Sequence, residues 1–249
     1  MRAGHAVRGV TSGLLLALML ASGAGAILRG PDKAPATAIS RWEEGQPGCT
    51  FSRDDDGKYR YGLWMADFGV VVAVDSQELE KVRRRAQPMF ALLLTVHYRG
   101  KDSLDIAPGK ITMEFVKHYH DIHVAFDPDD LLDKQREDAV VLAEETEREI
   151  RKHPEKQEER KNFLTAREED IAEMIDFLNT RSLRAARLDS AHPEISGWVF
   201  FSAKSKWIDE LQKQEEFVLR VPVAGRVVEF PFSLPPSEGD LILRRRPEN

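Results

Sequence analysis

Residues 90–115 read FALLLTVHYRGKDSLDIAPGKITMEF, and this stretch decides the fold. Phe90–Tyr98 reads as an apolar strand that ends in a turn at Arg99-Gly100-Lys101. Leu104–Ile106 is a short connecting strand, Pro108-Gly109 a second turn, and Ile111–Phe115 a second full strand. Leu92, Leu94 and Val96 alternate with Leu93, Thr95 and His97. That period of two turns one strand face inward and the other toward solvent.

Strand signals continue on the N-terminal side. Cys49–Arg53 and Lys58–Met65 flank Asp54-Asp55-Asp56-Gly57. An Asp-Gly pair between β-prone segments is a hairpin signal, because the turn needs positive φ and these residues tolerate it. The acidic triplet lacks the alternating ligands and closing Glu of a calcium loop. Gly69–Val74 is a continuous apolar run, as expected of a strand covered on both faces. Gln77–Gln87 is highly charged and predicts a helical turn or an edge segment. Val116–Phe126 predicts extended chain or a bend into a neighbouring strand.

After Phe126 the period changes. Asp127-Pro128-Asp129-Asp130 reads as a helix start, with an Asp cap, Pro in the first turn and carboxylates at the positive end of the dipole. Asp129–Lys152 and Glu155–Leu188 are dense in helix formers, and His153-Pro154 separates them. Leu164, Ile171, Ile175 and Leu178 fall on one face of the second helix at helical spacing. Leu132, Ala139, Ala143 and Ile150 make a thinner stripe on the first. Two narrow seams facing each other predict a helical hairpin with a charged exterior, standing clear of the strands. Strand signals return at Gly197–Ser202, Glu216–Val221 and Arg226–Phe232, with a turn at Pro222-Val223-Ala224-Gly225. Pro231 predicts that the last strand lies at an edge or ends there.

Strands, a long helical insertion, then strands again, without regular βα alternation, predict a mainly β fold with an α insertion. The expected architecture is an antiparallel immunoglobulin-like β-sandwich interrupted by a long helical hairpin. The expected boundaries are a signal peptide over 1–26, a flexible linker over 27–47 and a first part of the sandwich over 48–126. The helical insertion follows over 127–190, the second part of the sandwich over 191–234 and a tail over 235–249. The segments ALLLTVHYRGKDSLDIAPGKITMEF, ISGWVFFS and EFVLRV together resemble exported bacterial telokin-like immunoglobulin-type domains. The resemblance covers Lys58–Phe126 and Ile195–Leu234, and the helical insertion departs from it. It implies an extracytoplasmic, usually non-catalytic domain and carries no active-site residues.

The amino terminus points to the same compartment. Arg2 and Arg8 precede the apolar run Val10–Leu20, and Ala24-Gly25-Ala26 offers small residues for cleavage after Ala26. The protein is therefore expected to be exported, periplasmic or secreted, with no stable membrane span after cleavage. Net charge is -6 over the chain. An acidic surface does not attract nucleic acid or anionic lipid over its whole extent, so nucleic acid is not an expected partner. Cys49, the single cysteine, excludes an internal disulfide and reads as a small apolar residue at a strand start.

Three of the seven histidines, His118, His120 and His123, fall within six positions. On an extended chain His118 and His120 share a face about 7 Å apart, a spacing compatible with a transition metal such as zinc or copper. The alternative places them along a solvent-facing strand edge, with no cofactor. Over Asp129–Asp189 there are 12 basic and 18 acidic residues, which suits a solvated spacer or a projecting arm. The arm would offer Leu164, Ile171, Ile175 and Leu178 to an unknown protein partner, or to a second copy of the chain.

No Gly-x-Ser-x-Gly, His-Glu-x-x-His, phosphate-cradling glycine loop or Cys-x-x-Cys occurs. The chain is therefore expected to be a non-enzymatic protein-interaction module. The alternatives are a periplasmic metal-binding protein using His118–His123, or a secreted hydrolase or carbohydrate-binding module using Trp64, Trp198 or Trp207. Trp198 is expected in the core.

Overall fold

The computed structural model describes residues 38–53, 58–74, 89–202 and 214–234. The expected signal peptide, the Asp54–Gly57 turn, the charged Gln77–Gln87 segment, Trp207 and the tail lie outside them. Among the described residues, twelve strands and two long helices follow in chain order. They are β1 (Ala38–Arg41), β2 (Cys49–Arg53), β3 (Tyr59–Trp64), β4 (Phe68–Val74), β5 (Met89–Tyr98), β6 (Leu104–Ile106), β7 (Thr112–Phe115) and β8 (Asp121–Val124). Then come α1 (Pro128–Lys152), α2 (Gln157–Arg181), β9 (Ala186–Leu188), β10 (Glu194–Ser202), β11 (Glu215–Val223) and β12 (Arg226–Leu234).

The first sheet has the order β10-β5-β4-β3-β2, with every pairing antiparallel. The second has the order β1-β12-β11-β7-β8, antiparallel except that β1 runs parallel to β12. β6 and β9 form a separate two-stranded ladder. The inward residues of both large sheets join one apolar cluster. Phe90 of β5 sits at its centre, with ring centroids 4.8 Å from Phe217, 6.1 Å from Phe115 and 6.4 Å from Phe232, all on the second sheet. The strand blocks on either side of the helices thus share one core, as their individual sizes required. Fully burying such an aromatic is worth about 1.5–3 kcal/mol.

The helix start matches its sequence signal. Asp127 is extended, its carboxylate accepts from the Asp129 amide at 2.9 Å, and Pro128 occupies the first turn. The helix stops at His153 before Pro154, and the turn Pro154–Lys156 leads into α2. Along α2 the covered positions include Gln157, Arg160, Leu164, Arg167, Ile171, Met174 and Leu178 at steps of three and four, with Asp170, Ile175 and Phe177 also partly covered. This is the seam of a helix lying along another helix, and α1 and α2 are in contact.

The helices do not stand clear of the strands. Leu131 and Leu132 of α1 and Met174 and Leu178 of α2 form a second apolar cluster with Met89, Ala91, Trp198 and Phe200. These last four lie on the outer face of β5 and β10. Phe177 adds ring contacts at 5.8 Å to Trp198 and 6.2 Å to Phe200. The solvent-facing expectation for the outer face of β5 therefore fails over its first half and holds over its second. Met89–Leu92 are all buried, whereas Leu93, Thr95 and His97 are partly exposed.

Three further expectations are corrected, and a fourth holds only locally. Ala38–Arg41, placed in the flexible linker, pairs with β12, and Trp42 is buried in the core. The second helix ends at Arg181 rather than Leu188, because Leu183 is buried in the core with its amide on the Trp198 carbonyl at 2.9 Å. Ala186–Leu188 then pairs with β6, so tertiary pairing overrides helix propensity there. Residues 118–120 are not extended, since Tyr119 and His120 have φ of 60° and 57°. Pro231 lies on a strand with neighbours on both sides, yet its edge signal is locally sound. β1 accompanies β12 only as far as Glu229, whose carbonyl takes the Trp42 amide, so Pro231 sits where that neighbour has ended.

Gly197 marks where the chain leaving α2 crosses β10. A Cβ there would lie 2.5 Å from the Leu183 nitrogen and 2.6 Å from its Cα, both backbone atoms. Gly197→Ala is expected to destabilise by about 1–3 kcal/mol in urea unfolding. Gly109→Ala, where a Cβ meets nothing within 4 Å, is expected to stay within about 0.5 kcal/mol of the parent.

Candidate functional site

Two places gather polar chemistry, one on each side of the molecule. The first is the outer face of the second sheet. Phe115, Phe217, Leu219 and Phe230 point into the core, so the alternating pleat turns Glu114, Arg220 and Glu229 outward. Neighbouring strands bring these side chains into a row. Arg41 donates to Glu229 at 3.0 Å, Arg220 donates to Glu229 at 2.8 Å and to Glu114 at 2.5 Å, and His120 meets Glu114 at 2.5 Å. The positive φ at Tyr119 and His120 folds the β7–β8 loop back so that the imidazole reaches this row.

Glu114 and Glu229 are 8% and 7% exposed, and all four of their carboxylate oxygens have a protein partner. The hydrogen bond from His120, together with Arg220, holds the Glu114 carboxyl below the usual carboxylate range, against the effect of burial. Burial works against the charge on Arg220, but its bonds to Glu114 and Glu229 outweigh that and raise its pKa. A hollow of about 430 Å³ opens beside the row, with Trp42 and Pro231 in its wall. With each of the four carboxylate oxygens engaged by the protein, the row braces four strands.

The three clustered histidines diverge. His118 faces Glu215 at 3.2 Å, His120 faces Glu114, and His123 faces Asp121 at 3.2 Å with its ring 5.2 Å from Phe115. His123 is opposite Met113 and so lies on the core side of β8, while His120 is on the outer side. Each has a carboxylate of its own. Among the described residues no three His, Cys, Asp or Glu side chains come together as a metal shell. The expectation that His118 and His120 share a strand face fails with the turn at 119–120. Cys49 is partly buried at the start of β2, as expected. Trp198 is buried under the helices, and Trp64 stacks beside His97 and Arg99.

The second place is the cleft between the two helices and the end of the first sheet. The cleft has a volume of about 760 Å³ and opens to solvent, with Phe126, Leu142, Ile171 and Met174 among its apolar walls. Asp130, Lys134, Asp138, Arg167 and Asp170 bring charge to it, and Arg167 donates to Asp170 at 3.2 Å. Gln135 also lines the cleft, is 5% exposed, and its buried Nε2 has no hydrogen-bond partner.

The stripe expected to meet a partner is largely spent inside the molecule. Leu178 is fully buried against β5 and β10, and Ile175 packs on the same cluster. Ile171 lines the cleft and Leu164 is half-buried on the α2 seam. The exposed apolar side chains of the helices are instead Val140, Val141 and Phe163, at 60%, 53% and 49% exposure. Sequence reading missed these three because none lies on the most regular stripe. It also missed Gln135 and the row, which depends on register between distant strands. Comparisons with protein families, curated proteins and solved structures find no match to the chain.

Two outcomes follow from this geometry. Glu114→Gln is expected to cost about 1–3 kcal/mol at neutral pH, as an ionic hydrogen-bond pair is lost. Because folding lowers the Glu114 pKa, that contribution is present above the ordinary carboxylate range and disappears as pH falls through the lowered value. Urea unfolding of both proteins from neutral to acid pH should show the gap closing. In calorimetric titration with zinc and copper, the parent is expected to release no more heat than the His118→Ala/His120→Ala variant.

Proposed function

We propose that the chain is an exported, non-enzymatic immunoglobulin-like β-sandwich whose helical hairpin makes protein–protein contacts. One observation carries the reading: the base of the helices is anchored on β5 and β10, while Val140, Val141 and Phe163 remain exposed on the same two helices. An anchored base fixes the direction of the hairpin, which reduces the entropy lost when a partner docks on it. Exposed apolar side chains among charged ones offer groups that a partner can cover. The partner is another protein or a second copy of this chain.

Replacing the whole insertion by a Gly/Ser loop would be a poor test, since it would strip Trp198 and Phe200 of their cover. The better variant is Val140→Lys/Val141→Lys/Phe163→Lys in the full chain. Its circular dichroism and unfolding midpoint are expected to match those of the parent. Light scattering at high micromolar concentration should give a parent dimer and a variant monomer if a second copy is the partner. If the partner is another protein, affinity capture by the parent should be lost in the variant. A monomeric parent whose captured proteins are unchanged by the substitutions would overturn the proposal.

A further inference from the structure

The edges of the two sheets are finished differently. At β10 the edge of the first sheet is occupied, since the Leu183 and Phe126 amides donate to the Trp198 and Phe200 carbonyls at 2.9 and 2.8 Å. Its other edge, β2, shows Thr50, Ser52 and Arg53 to solvent. The second sheet ends instead in two four-residue strands, β1 and β8, that carry exposed apolar side chains. Ile39 of β1 is 64% exposed, and Ile122 and Val124 of β8 are 55% each. With Tyr119 just before β8, these are the exposed large apolar side chains outside the helices among the described residues. Native proteins ordinarily blunt an open edge with charge, proline or a covering segment.

Both edges also offer backbone groups that no described strand pairs. The Ala125 amide donates to the Ile111 carbonyl at 2.9 Å, which fixes the alternation along β7 and β8. Bonded pairs alternate with unbonded ones, so Ile122 and Val124 turn their N–H and C=O groups off the sheet. On β1 the Trp42 amide donates to the Glu229 carbonyl at 2.8 Å, so Ser40 also faces β12 while Ile39 and Arg41 face the open edge. The side chain of Ile39 shares the outer sheet face with Arg41, which reaches Glu229, and Ile122 stands opposite Glu114 on that same face. β1 runs with β12 and β7, against β11 and β8.

We propose that β8 of one copy of the chain adds to β1 of the next, continuing the second sheet head to tail. The added pair is antiparallel when the copies share an orientation. Ile39 then lies opposite Val124 of the next copy, with that copy's Ile122 diagonal to it, all on one face. A symmetric contact between two β8 strands would leave Ile39 and the β1 edge uncovered, whereas the head-to-tail contact covers both edges. A four-residue pairing buries less than a standard interface, so the association belongs to high micromolar concentration.

Sedimentation velocity on the full chain tests this, in the parent and in the Val140→Lys/Val141→Lys/Phe163→Lys background that removes the helical patch. The weight-average mass is expected to rise with concentration in both. Ile39→Lys and Ile122→Lys/Val124→Lys each block one edge at exposed positions and are expected to keep the parent's unfolding midpoint. Each alone is expected to stay monomeric. Mixed in equal amounts, they are expected to form a heterodimer that grows no further, because one intact β8 meets one intact β1. A monomeric parent at the highest concentration would overturn the proposal, and so would association that disappears in the helix-patch background. Self-association of either edge variant at the parent's strength, or an equal mixture that stays monomeric, would overturn it too. Because both backgrounds are measured, the result is independent of the docking role proposed for the hairpin.

Discussion

The structure depends on a strand pair that is apolar on both faces. β5 and β10 lie side by side, with Phe90, Leu92, Val199 and Phe201 turned toward the second sheet and Met89, Ala91, Trp198 and Phe200 turned away from it. A sheet exposed on one side would carry polar residues at the second set of positions. Here those positions must be covered, and α1 and α2 supply the cover through Leu131, Leu132, Met174 and Leu178. The helical insertion is therefore part of the folded body at its base. The Phe126 amide on the Phe200 carbonyl, at 2.8 Å, links the start of the insertion to the strand it covers.

The two sheets meet their outer surroundings by different means. The first has an apolar half-face under the helices, whereas the second has the ionic row from Arg41 to His120 across β1, β12, β11 and β7. A half-buried row of alternating charge is stable because each member is paired, and removing one member leaves its neighbour uncompensated. It also favours one register, since a slip by a single residue would turn Glu114, Arg220 and Glu229 toward the core. On the first sheet the helices cover the apolar half-face instead and leave an open cleft beside it.

Much of the β architecture is legible in local sequence. β5, β6, β7 and the hairpin of β11 with β12 coincide with alternating runs and turn residues, and Asp127-Pro128 marks the helix start within a residue. The features that escape are those fixed by distant partners. Ala38–Arg41 has the composition of a linker and becomes a strand only because β12 lies beside it. Ala186–Leu188 has helix-forming composition and pairs with β6 instead. The docking of the helices left one local trace, the unbroken apolar runs MFALLL and WVFF, in which alternation lapses where both strand faces are covered. The candidate sites were less legible than the fold. The histidine cluster is prominent in sequence and disperses in space, while Gln135 is inconspicuous in sequence and is buried beside the cleft between the helices.

Native-state hydrogen exchange on the full chain tests the central claim most directly, because it reports whether the helix base and the covered strands open together. If the base is part of the core, the amides of 132–135 and 175–178 should exchange with nearly the same opening free energy as those of β5 and β10, with faster exchange toward Pro154. Uniformly fast exchange along both helices, with β5 and β10 still strongly protected, would contradict the account: the strand pair would then be stable without the cover on which the rest of the structure is argued to depend.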